Sequence, residues 1–200
     1  YAYFWQNIQV NLLFNGNNIS YNKDFDNYLK RLGYKFKNED KEYGGYTILH
    51  GKKIFLVMDT GPSPDFKYSK DYQSGALSFE IISNGKKLIS NCGYYDKENQ
   101  RLSRLSKSSA AHNTLIIDDN SSCKFLKKRS SWVLKTGLRI TQKKIIFEKN
   151  YWQITAAHDG YLKNYNSMHE RNIEFYPEQM TFVGNDKIIK RKTNNNYKFE

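Results

Sequence analysis

Residues 74–93 read SGALSFEIISNGKKLISNCG, and this stretch decides the fold class. Leu77–Ile82 is an apolar, β-branched run. Lys87–Asn91 is a second, and Asn84-Gly85 lies between them. Asn-Gly flanked by strand-like runs is a strong short-range hairpin signal, because both central residues of the favoured tight turn need positive φ. The same alternation of short runs and turn residues recurs along the chain. Strands are expected at Tyr46–Leu49, Lys53–Met58, Thr114–Asp118, Trp132–Ile140, Lys144–Lys149, Tyr151–Ala157, Arg171–Tyr176, Gln179–Val183 and Lys187–Lys190, separated by HGKK, GPSPD, DDNSS, HDGY and GND. Many short strands joined by hairpin-type turns predict a mainly β fold, an antiparallel β-sandwich.

The N-terminal part reads differently. In YNKDFDNYLKRLG, Phe25, Tyr28, Leu29 and Leu32 recur at helical spacing, with Asn22 or Asp24 able to cap the start and Gly33 placed to end it. Residues 34–44 are polar and read as a linker. A short helical remnant therefore precedes the β-domain, which runs from 45 to 200. The chain starts abruptly at YAYFWQ and stops at NNNYKFE after a strand-like segment, and so reads as a piece of a longer protein.

The 200 residues carry 32 Lys+Arg against 20 Asp+Glu, a net charge of +12, with 16 Tyr and 12 Phe. That aromatic content marks a folded chain, and tyrosines suit a polar cleft by offering an apolar face and a hydroxyl. The positive field attracts polyanions. The basic residues are scattered through strands and turns, not gathered on one helix or arm, which argues against a dedicated nucleic-acid module. No run is long and apolar enough for a membrane-spanning helix. Two cysteines, Cys92 and Cys123, are too few for a disulfide scaffold and lack metal-type spacing. A bridge between them stays open, and Cys123 reads as a small buried side chain.

Five segments carry a resemblance: LLFNG (12–16), GGYTILHGKKIFLVMDTGPSP (44–64), SGALSFEIISNGKKLISNCG (74–93), SSAAHNTLIIDDNSSCKF (108–125) and HDGY (158–161). In this order they resemble the C-terminal β-domain of the heparinase II/III-like polysaccharide lyases, among them heparinase III and related alginate lyases. The resemblance implies an α/α toroid packed on a β-sandwich with the active site between them. Residues 1–44 then correspond to the toroid's tail and linker, and residues 45–200 to a C-terminally truncated sandwich. It implies β-elimination on acidic, uronate-containing polysaccharide. That chemistry needs a neutralised carboxylate, a base for the C5 proton and an acid for the leaving oxygen. The family's catalytic asparagine and one key tyrosine belong to the toroid. The resemblance also implies a bacterial periplasmic, envelope or secreted setting.

Carried over position by position, the family's HxH falls on Asp71 and Gln73. Its metal-binding aspartate falls on Asn91, and the histidine of its AHNT motif is His112, 21 residues further on. Gln and Asn offer neutral amide oxygens, poor ligands for zinc. The family zinc site is therefore expected to be lost, with no cofactor, and Gln73, Asn91 and His112 are expected to form a hydrogen-bonded cluster in its place. His112, Asp71 and Tyr94 are the catalytic candidates. A histidine that merely satisfies a buried group competes with a catalytic role for His112. Arg101, Arg104, Asn113 and His158 are the candidates for substrate binding: the arginines pair with carboxylate or sulfate, Asn113 fixes a strand entrance, and His158 lines a cleft or caps the Asp159-Gly160 turn. The non-enzymatic alternative is a glycan-binding or envelope-structural module descended from the same family.

Overall fold

A computed structural model of the chain describes residues 12–14, 31–33, 41–93, 95, 100–129 and 131–191. The expected helix around Phe25–Leu32 lies outside them, apart from its last residues. Two compact units divide the chain, residues 1–138 and 139–200.

In the first unit, β1 (Glu42–Tyr43), β2 (Tyr46–His50), β3 (Ile54–Asp59), β4 (Phe79–Ser83) and β5 (Lys86–Ile89) form one antiparallel sheet in sequence order. Every residue of β3 is buried, as a central strand covered on both faces requires. On one face Phe55, Val57 and Ile82 pack with Leu12 and Phe14. The β4–β5 turn is the predicted Asn-Gly turn, Asn84 and Gly85 at φ +48° and +74°. The Gly44-Gly45-Tyr46 turn meets the end of β3 backbone to backbone. A Cβ on Gly61 would stand 2.8 Å from the Cα of Gly45, and Thr60 N–H donates to the Gly45 carbonyl at 2.9 Å. After β5 come α1 (Gln100–Ser106), a 3-10 turn (Ser109–Ala111) and a two-stranded hairpin, β6 (Lys124–Lys128) with β7 (Ser131–Thr136).

The second unit is an antiparallel meander of β8 (Ile140–Phe147), β9 (Trp152–His158), β10 (Ser167–Tyr176) and β11 (Thr181–Lys190), with a one-turn helix, α2 (Leu162–Tyr165), between β9 and β10. Strand β10 alternates buried and half-buried over all ten residues. On its buried side Phe175 meets Trp152 edge-on and stacks on Phe182, with ring centroids at 4.9 and 4.3 Å.

Four expectations need correction. Thr114–Asp118 is not a strand: Asn113 and Thr114 spend their side chains on the backbone of Phe79 and Ala76, and Asp118 and Asp119 adopt φ of +47° and +57° in a tight turn. Trp132–Ile140 is broken at residues 137–139, where Ser63 Oγ binds both the N–H and the carbonyl of Leu138. GND is no turn: Gly184 pairs with Ile173 inside the unbroken β11. Lys124–Lys128, not among the expected strands, is a strand.

Candidate functional site

The short side chains of the KSSAAHNT run let three loops close on one another. Ser74 N–H donates to the Lys107 carbonyl (3.0 Å) and Cys92 N–H to the Ala111 carbonyl (3.2 Å). Fully buried Ser109 donates through Oγ to the Ser74 carbonyl (2.8 Å) and accepts from Ser122 N–H (3.1 Å). Larger residues there would leave no room for these backbone-to-backbone seams. Asn113 completes the set by standing in for a strand: its Oδ1 accepts from Phe79 N–H (2.8 Å) and its Nδ2 donates to the Phe79 carbonyl (2.7 Å).

This places Gln73, Asn91 and His112 on adjoining loops, but the hydrogen bonds run elsewhere than expected. Gln73 Nε2 donates to the Gly93 carbonyl (3.3 Å). Asn91 Oδ1 accepts from Asn113 N–H (3.3 Å) and its Nδ2 faces Glu80 Oε1 (3.4 Å). The knot centres on Glu80, not on His112. The fully buried Glu80 carboxylate takes Leu13 N–H at 2.9 Å, Asn91 N–H at 3.2 Å and the Lys87 ammonium at 3.0 Å. His112 packs tightly on Gly75, and neither ring nitrogen has a hydrogen-bond partner among the described residues. Burial pushes its pKa down to about 4, so the ring is neutral at physiological pH.

The zinc implied by the resemblance does not fit these residues. Of its three positions only His112 carries a donor that zinc prefers, and the Asn91 amide is committed to Glu80 and Asn113. Among the described residues no three His, Cys, Asp or Glu side chains converge as a metal would need.

The other candidates are dispersed. Asp71 is exposed, and Tyr94 lies outside the described residues. Arg101 and Arg104 are exposed on α1, the Arg104 guanidinium 5.5 Å from the centre of the Trp132 ring. Cys92 is exposed and Cys123 buried, both as free thiols; burial drives the Cys123 thiol up to about 12, against hydrogen bonds from Tyr72, Ser122 and Ser74. His158, in the second unit, is buried at the end of β9. Its Nδ1 accepts from Gly160 N–H (3.0 Å) and its Nε2 meets His169 Nδ1 (3.3 Å). His169 Nε2 meets Asp186 Oδ1 (2.7 Å), and Arg171 holds both oxygens of Asp186 at 2.7 Å. Burial first, then His169 and Arg171, lowers the His158 pKa to about 3. Burial works to raise the Asp186 carboxyl, but hydrogen bonds from His169 and Arg171 outweigh it and hold it far below the usual range.

Sequence patterning did not single out Glu80, Lys107 or the His169–Arg171–Asp186 group. A signal existed for two of them: in SMHERNIEFY, His169 and Arg171 share the alternation of Ile173 and Phe175, which places them on the buried face. Lys107 is 1% exposed. Its ammonium donates to the carbonyls of Lys70 and Tyr72 and lies 5.2 Å from the centre of the Phe125 ring. Burial lowers its pKa to about 8, with the Asp71 charge working against the shift and Lys70 with it.

Residues 37–199 match the family described as Heparinase II/III-like, C-terminal. Among solved structures, a heparinase III with methylated lysines is 18% identical (TM-score 0.66), over 93% of this chain and 31% of its own. A mutant heparan sulfate lyase from Pedobacter heparinus is 16% identical (TM-score 0.66), over 96% of this chain and 32% of its own. A further heparinase III structure is 18% identical (TM-score 0.66), over 92% and 31%. The chain thus spans about a third of the length of the structures it matches. Among curated proteins nothing matches. Likeness at these identities speaks for the fold, and it is the mainly β, antiparallel sandwich class that the strand pattern predicted.

Proposed function

The chain belongs to the heparinase II/III-like family, and from that premise we propose that it is the β-domain part of a polysaccharide lyase acting on acidic, uronate-containing glycans by β-elimination. The observation that carries this is the family match over residues 37–199, which takes in every described strand. In the reaction a base removes the C5 proton, a C4–C5 double bond forms, the C4–O bond breaks, and the departing oxygen takes up a proton. The uronate carboxylate must be neutralised for that proton to leave.

The part proposed for this chain is to support one wall of the cleft. The β-domain, which β1 carries back from residue 45 to Glu42, follows the end of a helical toroid, which supplies the remaining catalytic groups. The Glu80–Asn91–Asn113 knot keeps the His112 and Gln73 loops in register with that wall. The neutral, buried imidazole of His112 suits shaping the wall better than carrying a proton. The setting proposed is the bacterial envelope, periplasm or exterior, where such polymers are met. Among the described residues no helix is long and apolar enough to cross a membrane.

The test is release of unsaturated uronate, followed by absorbance, from a panel of acidic glycans that includes heparan sulfate and alginate. The complete protein is expected to release it, and the 200-residue chain alone is expected to release none. A complete protein without such product on any acidic glycan sinks the lyase assignment. The second reading, a binding or envelope-structural module, then takes its place. One observation favours it: two positions where the family holds His and Asp carry amides, Gln73 and Asn91, which are spent on structural hydrogen bonds.

A further inference from the structure

The basic residues that lie apart in the sequence meet in the fold. Three segments of the first unit, residues 65–71, 100–107 and 124–136, hold ten basic residues against two acidic ones. That is a net +8 out of the chain's +12, within 28 of its 200 residues. Side-chain contacts join the three. Lys107 ties itself to the Lys70 and Tyr72 carbonyls and to the Phe125 ring. Arg104 covers Trp132. Lys128 covers Phe66 at 4.8 Å, and Ser69 Oγ accepts from Leu134 N–H at 2.9 Å. In the β6–β7 register Lys127 lies opposite Trp132 and Lys128 opposite Ser131, so successive lysines project to opposite faces of the hairpin. The hairpin is a cationic finger charged on both sides.

On the acidic-glycan reading above, we propose that this hairpin, with α1 and the Phe66–Tyr68 turn, is a docking surface for an anionic polysaccharide chain. Charge complementarity sets the partner's sign: a dense positive surface draws a polyanion in and holds it by releasing counterions. The aromatic rings narrow its class. Phe66 and Tyr68 are 43% and 70% exposed, yet Lys128 and Lys67 each stand 4.8 Å from their ring centres, and Arg104 is over Trp132. Rings capped by cations offer charge to carboxylate and sulfate groups. The capped faces are closed to the base stacking that single-stranded nucleic acid uses.

The test is binding of a size-defined heparin oligosaccharide to the 200-residue chain across a salt series, with a DNA duplex of equal charge as comparator. The triple variant Lys127→Gln, Lys128→Gln, Arg129→Gln is expected to bind the oligosaccharide roughly tenfold more weakly at low salt, with a flatter salt dependence. A control triple in the second unit, Lys143→Gln, Lys144→Gln, Lys163→Gln, removes the same charge and is expected to stay close to the parent. Lys127→Arg with Lys128→Arg is expected to keep binding, which separates loss of charge from loss of fold. Equal weakening by the two Gln triples, no oligosaccharide binding by the parent chain, or tighter binding of the DNA each overturns the proposal. Normal binding by the hairpin triple beside lyase activity of the complete protein removes this surface alone. Hairpin-dependent binding without lyase activity removes the enzyme assignment alone.

Discussion

Glu80 sits in a strand between apolar neighbours, and its carboxylate is the acceptor on which three separate segments converge. Truncating it strands two backbone N–H groups and removes the ion pair of Lys87. Glu80→Ala is therefore expected to lower unfolding stability by about 3 kcal/mol, read as a fall in the urea midpoint; an unchanged midpoint means water satisfies those donors instead. His112 and His158 make the chain sensitive to acid. Their folded pKa values, about 4 and about 3, lie below the ordinary 6.5, so between these limits the unfolded chain binds more protons than the folded one. Stability is complete above about pH 6.5 and falls as pH drops through the window toward 4 and then 3. His112→Gln is expected to remove about one proton from the uptake on unfolding near pH 5, seen as a shallower slope of stability against pH. The sequence pointed to His112 and Asn113 through the AHNT run at the start of an expected strand, and to Asn91 through the family resemblance. It passed over Glu80 because a lone acid in a strand reads as solvent-facing, and only the loops folded above β4 turn that position inward.

At the scale of elements, the close approach of the Gly44-Gly45 turn to the end of β3 leaves no space for a side chain at Gly61. Gly61→Ala drives a methyl into the Gly45 backbone and is expected to cost about 2 kcal/mol, measured by thermal or urea unfolding. The glycines were visible in GGYT and DTGPSP, but their mutual contact was not. In β9, β10 and β11 the hydrogen bonds fix two tautomers. Gly160 N–H needs an acceptor at His158 Nδ1, so neutral His158 carries its proton on Nε2 and donates to His169 Nδ1. His169 then carries its own proton on Nε2, toward Asp186. Long-range nitrogen-15 NMR is expected to show Nε2–H in both rings near neutral pH, and an Nδ1–H signal in either breaks the chain. Turn-bounded strands such as β2, β3, β5 and β9 were legible because alternation and Asn-Gly or Gly-rich turns are local signals. Thr114–Asp118 was not, because the side chains of Asn113 and Thr114 bind the backbone of Phe79 and Ala76 and the chain turns at positive φ at Asp118 and Asp119.

Across the whole molecule the two thiols report on different events. Exposed Cys92 is expected to react with a thiol reagent in the native protein, whereas Cys123, buried with its pKa pushed up to about 12, is expected to react only as the unit opens. One fast and one denaturant-dependent labelling step, followed by mass spectrometry, check this; two fast steps place Cys123 at the surface. The sequence by itself determined the antiparallel β class, the hairpin turns, the family and the excess of positive charge, since each depends on residue type and short-range spacing. Only the tertiary structure decided where that charge collects, which carboxylate anchors the loops, and that His169, Arg171 and Asp186 share one network. Those are contacts between residues 11 or more positions apart, and their energies depend on burial and on distances that exist only once the chain has folded back on itself.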